Sequence, residues 1–217
     1  MKPVILFDLD GTVIDSTDAI LDGFKIAFEK FGKSVPNDEA IKNEIGHTLE
    51  NMFLTLGVEE ESIDAYVSTY KMHYRVISCE KTILLKGARE AILEASKFAT
   101  LGVVTTKTGE YSTILLEHLG LMKYFSVLIG REHVENPKPN KEPILKALAK
   151  LEHDRSRTWM IGDTCMDINA AKNAEIEAIA VTSGYATHSV LQNCAEYICN
   201  NVLEAVRHIK KSDENYK

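Results

Sequence analysis

From residue 84 to about residue 200 the spacing of apolar residues switches repeatedly between two periods, and this limits the possible folds more than any other feature. Gly87 opens AREAILEASKF with helical spacing, LGVVTT reads as a strand, YSTILLEHLG as a helix and FSVLIG as a strand. KEPILKALAKL is then a helix, TWMIGD a strand, DINAAKNA a helix and AIAV a strand, and the tail adds a short strand (EYIC) and a closing helix (LEAVRHIKK). SDENYK reads as a frayed end. Short strands separated by helices cannot pair as hairpins; they join through right-handed crossovers into a parallel sheet covered on both faces. The N-terminal run PVILF has the same character and belongs to that set.

Between PVILF and Gly87 the period is helical throughout. Ile20, Phe24, Ala27, Phe28 and Phe31 recur at three- and four-residue spacing, with Ser16 or Thr17 available as a cap and Gly32 as the terminator. Asn37, Thr48 and the acidic run Glu59-Glu60-Glu61 mark three more helix starts, the acids suiting the helix dipole. Tyr70 and Tyr74, four residues apart, read as part of a buried stripe. The expected fold is α/β: a doubly wound parallel sheet, residues 1–15 and 81–217, with an all-helical domain, residues 16–80, inserted after the first strand.

Composition removes several function classes. The net charge of −7 comes from acids spread along the chain, with no basic tract for nucleic acid or an anionic membrane, and no apolar run approaches spanning length. Cys79, Cys165, Cys194 and Cys199 lack zinc or CxxC spacing, and the N-terminus leads straight into a strand. These features read as reduced thiols in a cytoplasmic protein whose partner is a small molecule.

In an open parallel sheet ligands sit beyond the carboxyl ends of the strands. The residues found there are Asp8, Asp10, Gly11 and Thr12 after PVILF; Thr105, Thr106 and Lys107 after LGVV; Lys138 in the loop after FSVLIG; and Asp163 and Asp167 after TWMIG. Asp8 and Asp10 lie on the same face of their strand, where carboxylates repel unless something positive lies between them. Carboxylates without nitrogen or sulfur partners suit a hard cation, Mg²⁺ above all, which keeps sites for water and phosphate oxygens. An arriving phosphate would meet the metal, Lys138, the hydroxyls and the N–H groups of the Gly11 turn. Taken singly, each segment has a plainer reading: an Asx turn for DLDGT, strand propensity for Thr105, a solvated loop for Lys138, a helix cap for GDTCMD. Their order and their shared position at strand ends make them a set.

The four segments resemble the four motifs of the haloacid dehalogenase (HAD) superfamily: DLDGT, the Thr of VVTTK, the Lys of KPNKEPI, and GDTCMD. With the helical insert, the likeness spans nearly the whole chain, closest to the phosphoglycolate phosphatase and β-phosphoglucomutase branch. It implies a Rossmann-like core with a cap domain and a Mg²⁺-dependent phosphatase acting on a small phosphomonoester through an aspartyl-phosphate. Asp8 would be the nucleophile and Asp10 the acid and base. Gly11, Thr105, Thr106 and Lys138 would hold the phosphoryl group. Asp8, the Asp10 carbonyl and Asp163 would bind Mg²⁺, with Asp167 ligating through water or orienting Lys138. His47, in the Gly46-His47-Thr48 junction where this branch places its specificity loop, is the candidate substrate contact.

Three positions depart from the family pattern. Thr106 stands for the usual Asn, Glu175 for a left-handed Gly after Ala174, and Leu85-Lys86-Gly87 for Tyr-Pro-Gly. A sugar-phosphate mutase of the β-phosphoglucomutase type shares the core motifs but needs cap groups to reorient a bisphosphate, and no such set stands out. A dehalogenase would not need Asp10. A receiver-type phosphorylation switch carries its acceptor after the third strand and has no helical insert.

Overall fold

The computed structural model describes residues 2–215. Six strands, β1 (Val4–Phe7), β2 (Thr100–Val104), β3 (Val127–Ile129), β4 (Thr158–Gly162), β5 (Glu177–Val181) and β6 (Tyr197–Cys199), form one sheet in the order β3-β2-β1-β4-β5-β6. All five pairings are parallel. The central strands β1 and β4 are buried along their whole length, which is why PVILF and TWMIG read as continuous apolar runs. Val4 and Leu6 pack with Ile144 and Ala170 of the helices on one face, while Ile5 and Phe7, pointing the other way, are equally buried. The α/β parallel-sheet expectation holds.

The chain divides into two compact units. One holds the N-terminal stretch through Asp15 and everything from Leu84 onward; the other is Ser16–Ile83. The second boundary falls past residue 80 because Lys81 pairs with Asp22 and Thr82 is buried.

Apart from Ile83, which begins a two-residue strand (Ile83–Leu84), the regular structure of the second unit is helical: α1 (Thr17–Lys30), α2 (Asp38–Lys42), α3 (Leu49–Thr55) and α4 (Ile63–Ile77). Asn37 and Thr48 cap α2 and α3, accepting from the N–H groups of Ala40 and Asn51. Gly32, at φ 64°, closes α1: its N–H donates to Glu29 and that of Lys33 to Phe28. Two details differ from expectation. Ser16 sits at the α1 cap position without a side-chain cap bond, and Glu60–Ser62 forms a 3₁₀ turn ahead of α4. The core of this unit is aromatic, with Phe24 and Phe53 ring centroids 4.5 Å apart and Tyr70 stacked on Tyr74 at 5.4 Å. Gly23 lets α1 and α4 approach, since a Cβ there would lie 2.5 Å from the Tyr70 ring.

In the sheet-bearing unit, α5 (Ala88–Ala95), α6 (Gly109–His118), α7 (Glu142–Leu148), α8 (Cys165–Asn173) and α10 (Val202–Asn215) match the expected helices, and α9 (His188–Leu191) is an addition. Helix α10 carries through Ser212–Asn215, in place of the expected fraying, because Asp213 pairs with Arg157; Tyr216 and Lys217 lie outside the described residues. Glu175 is, among the described residues, the one non-glycine at positive φ, at 58°. Its N–H and that of Ile176 donate to Lys172 and Ala171, so α8 ends in the left-handed closure despite the side chain.

The cysteines correct the reading of reduced thiols. Cys165, at the start of α8, is disulfide-bonded to Cys194, with Cα atoms 5.7 Å apart and a sequence separation of 29. Cys79 and Cys199 are free. The crossover through β5 and α9 brings the bonded pair together, a proximity that no spacing rule detects, so cysteine usage does not argue for a reducing compartment. No helix is long and apolar enough to cross a membrane.

Candidate active site

At the carboxyl end of β1 the chain turns back on itself, the N–H groups of Val13 and Ile14 both reaching the Leu9 carbonyl. Gly11 sits in this turn at φ 78°, where a Cβ would lie 2.4 Å from Asp163 Oδ2. Its N–H, expected to face a phosphate, donates instead to the Ile14 carbonyl. Gly11 therefore gives Asp163 room rather than supplying a donor.

Asp8, Asp163 and Asp167 come together from β1 and the β4–α8 junction, with one carboxylate oxygen from each lying within 4.8 Å of the others. All three are buried. Asp163 is held from two sides: Oδ1 accepts from the Thr12 hydroxyl at 3.0 Å and Oδ2 from the Tyr185 N–H at 2.9 Å. Asp167 Oδ2 accepts from the Thr164 N–H and hydroxyl at the start of α8, and Oδ1 lies 2.5 Å from Lys138 Nζ. Gly162 permits this, as a Cβ there would meet Asp167 Cγ at 2.2 Å.

Lys138 is 3% exposed and reaches Asp8 Oδ1 at 2.9 Å and the Val104 carbonyl at 3.2 Å. Its loop is fixed by Glu142, whose carboxylate is drawn down to about 2 by the Lys146 ammonium beside it and by the N–H groups of Glu135 and Asn136, from which it accepts. Burial works against the Lys138 charge, but Asp167 and Asp8 outweigh it and hold the ammonium above the ordinary lysine range.

The carboxylates are under the opposite pressure. Burial pushes Asp8 up to about 7 against the pull of Lys138, with the Asp167 and Asp10 charges adding to the rise. Burial, then the charges of Asp167 and Asp8, raises Asp163 well above the ordinary carboxylate value. Apart from its ion pair with Lys138, Asp8 Oδ1 is buried without a hydrogen-bond partner. An oxygen-only donor set that one lysine does not neutralise, with that buried oxygen at its centre, fits a hard divalent cation.

The other expected residues divide. Thr105 is buried at the end of β2 with its hydroxyl accepting from the Lys107 N–H at 3.1 Å, and Thr106 follows it, half-buried. The Asp10 carboxylate pairs with Lys107 and is outside the carboxylate cluster. His47 belongs to the helical unit, where its exposed ring lies 3.1 Å from the Glu44 carbonyl. Sequence reasoning does not find the segment after β5: Tyr185 donates to Asp163, the Ser183 hydroxyl to the Gly11 carbonyl, and a Cβ on Gly184 would sit 2.1 Å from Asp163. A signal for it exists, since Thr-Ser-Gly-Tyr follows AIAV as DLDGT follows PVILF.

The family model described as haloacid dehalogenase-like hydrolase matches residues 5–181. The chain is 36% identical over 199 residues to "Probable phosphatase IndB" of Dickeya dadantii, covering 88% of this chain and 86% of that one. It is 36% identical over 186 residues to pyrophosphatase PpaX of Halalkalibacterium halodurans, covering 84% and 83%. A solved structure of a haloacid dehalogenase-like family hydrolase from Streptococcus pneumoniae superposes with a TM-score of 0.86 at 26% identity, over 95% of this chain and 98% of that one. The chain belongs to the haloacid dehalogenase-like hydrolase family.

Proposed function

We propose that this enzyme is a phosphatase that hydrolyses a small phosphomonoester, of the phosphoglycolate kind, through a phosphorylated Asp8. The observation that carries the reading is the convergence of Asp8, Asp163 and Asp167 within 4.8 Å, with Lys138 against Asp8 and Asp167. Asp8, Asp163 and the Asp10 carbonyl would hold Mg²⁺, and Asp167 keeps Lys138 in place. When bound, the ion offsets the carboxylate repulsion and draws charge from the phosphoryl oxygens.

The residues then divide the chemistry. Lys138 and the Thr105 and Thr106 hydroxyls orient the phosphoryl group. An Asp8 carboxylate oxygen forms a bond to phosphorus as the bond to the leaving oxygen breaks, and Asp10 gives that oxygen its proton. Asp10, now a carboxylate, takes a proton from water; the water oxygen bonds to phosphorus, the bond to Asp8 breaks, and phosphate leaves. The helical unit serves as the substrate-selecting cap, with His47 as its specificity residue.

The likeness to PpaX favours a second substrate, inorganic pyrophosphate, handled by the same steps. A screen of phosphomonoesters and pyrophosphate, with and without Mg²⁺, separates the two. In that screen Asp8→Asn lowers turnover to background and Asp10→Asn lowers it by about 10²–10⁴-fold. An Asp8→Asn protein that retains full activity overturns the mechanism.

A further inference from the structure

Asp8 and Asp10 leave the same strand end, yet they have different partners. Among the described residues the side chains that could share an ion are Asp8, Asp163 and Asp167, and the Asp10 carboxylate is not with them. The Asp10 carboxylate lies 3.3 Å from Lys107 Nζ, with the two side chains only 12% and 11% exposed. Lys107 is itself anchored through its backbone: its N–H donates to the Thr105 hydroxyl, and its carbonyl accepts from the Arg131 N–H. The other lysine of the site, Lys138, is taken up by Asp8, Asp167 and the Val104 carbonyl. Lys138 thus pairs with Asp8 and Asp167, and Lys107 with Asp10.

A carboxyl group that must hand a proton to one oxygen loses rate if it wanders among rotamers or turns to ligate a nearby cation. We infer that Lys107 is a positioning residue, holding the Asp10 carboxyl apart from the cation cluster and in one orientation for proton transfer to the leaving oxygen. This rests on the roles of Asp8 and Asp10 proposed above.

The test compares Lys107→Met and Lys107→Arg on two esters: 2-phosphoglycolate, whose alkoxide needs a proton to leave, and 4-nitrophenyl phosphate, whose phenolate does not. Lys107→Met lowers kcat/KM for the alkyl ester about 10–100-fold and for the aryl ester less than about threefold, and Lys107→Arg restores most of the loss. The rise in melting temperature with Mg²⁺ is at least as large in Lys107→Met as in the parent, because the cluster carboxylates stay in place and a released Asp10 can only add an oxygen to the ion. An equal loss on both esters, or a weakened Mg²⁺ response, overturns the inference and makes Lys107 a phosphate or cluster residue. If Asp8→Asn stays active the underlying reading fails; if Asp8→Asn is dead while Lys107→Met matches the parent on both esters, only the role of Lys107 fails.

Discussion

The two units bury different things. In the sheet-bearing unit Asp8, Lys138, Asp163 and Asp167 lie among the buried residues, whereas the helical unit buries aromatic rings and hydroxyls and none of its acidic residues as a whole, one Glu50 carboxylate oxygen alone being enclosed. Removing an ion from water costs several kcal/mol, so a fold retains buried charges only where they are paired or have a task. The helical unit is held chiefly by apolar contact, while the other unit carries an electrostatic load at its strand ends that its folding does not require.

The sharpest way to break this contrast is to delete one lysine in each unit. Lys138→Met leaves two buried carboxylates without their cation and lowers stability by about 3–5 kcal/mol, besides abolishing activity. Lys81→Met removes the exposed partner of Asp22 and leaves the melting temperature unchanged within error. Equal effects in thermal denaturation would erase the distinction between the units.

The disulfide, which lies in the sheet-bearing unit alone, follows in size of effect. Cys165–Cys194 closes a loop of sequence separation 29, and its reduction costs about 3.6 kcal/mol in the chain-entropy account. Thiol titration under denaturing, non-reducing conditions finds Cys79 and Cys199 alone, and all four cysteines after reduction. Four free thiols in the oxidised preparation would remove the bond.

The smallest effect concerns the left-handed residue after α8. Glu175→Gly relieves a side chain at φ 58° and raises stability by about 1 kcal/mol, and its Arg155 partner, itself half exposed, contributes little to oppose this. A drop in melting temperature would show that the Glu175–Arg155 pair outweighs the backbone strain.

Much of the fold and of the site is legible in the sequence because it rests on local rules. Period changes locate the strands, Asn37 and Thr48 cap where such residues should, and the strand-end principle picks out Asp8, Lys138 and Asp163 without any distance. What escapes depends on contacts between distant segments. The Cys165–Cys194 bond, the capture of Asp213 by Arg157 that extends α10, and the grip of Tyr185 on Asp163 all join residues across the fold. The Gly11 N–H defies expectation for a related reason: a glycine's freedom is visible in sequence, but the acceptor its turn supplies is not.

The central claim, that buried carboxylates share a divalent ion, is tested most directly by calorimetric titration of Mg²⁺ at pH 8 and pH 5. Asp8 in the folded chain holds its proton from the ordinary value of 3.8 up to about 7, and Asp163 is raised in the same direction. Across that window the folded state binds more protons than the unfolded one, so without metal, stability falls as pH rises, and a cation gains its site as the protons leave. The expected result is one ion per chain at pH 8, much weaker binding at pH 5, and none in an Asp163→Asn protein whose circular dichroism is unchanged. Binding of equal strength at both pH values, or binding that survives Asp163→Asn, would contradict the account.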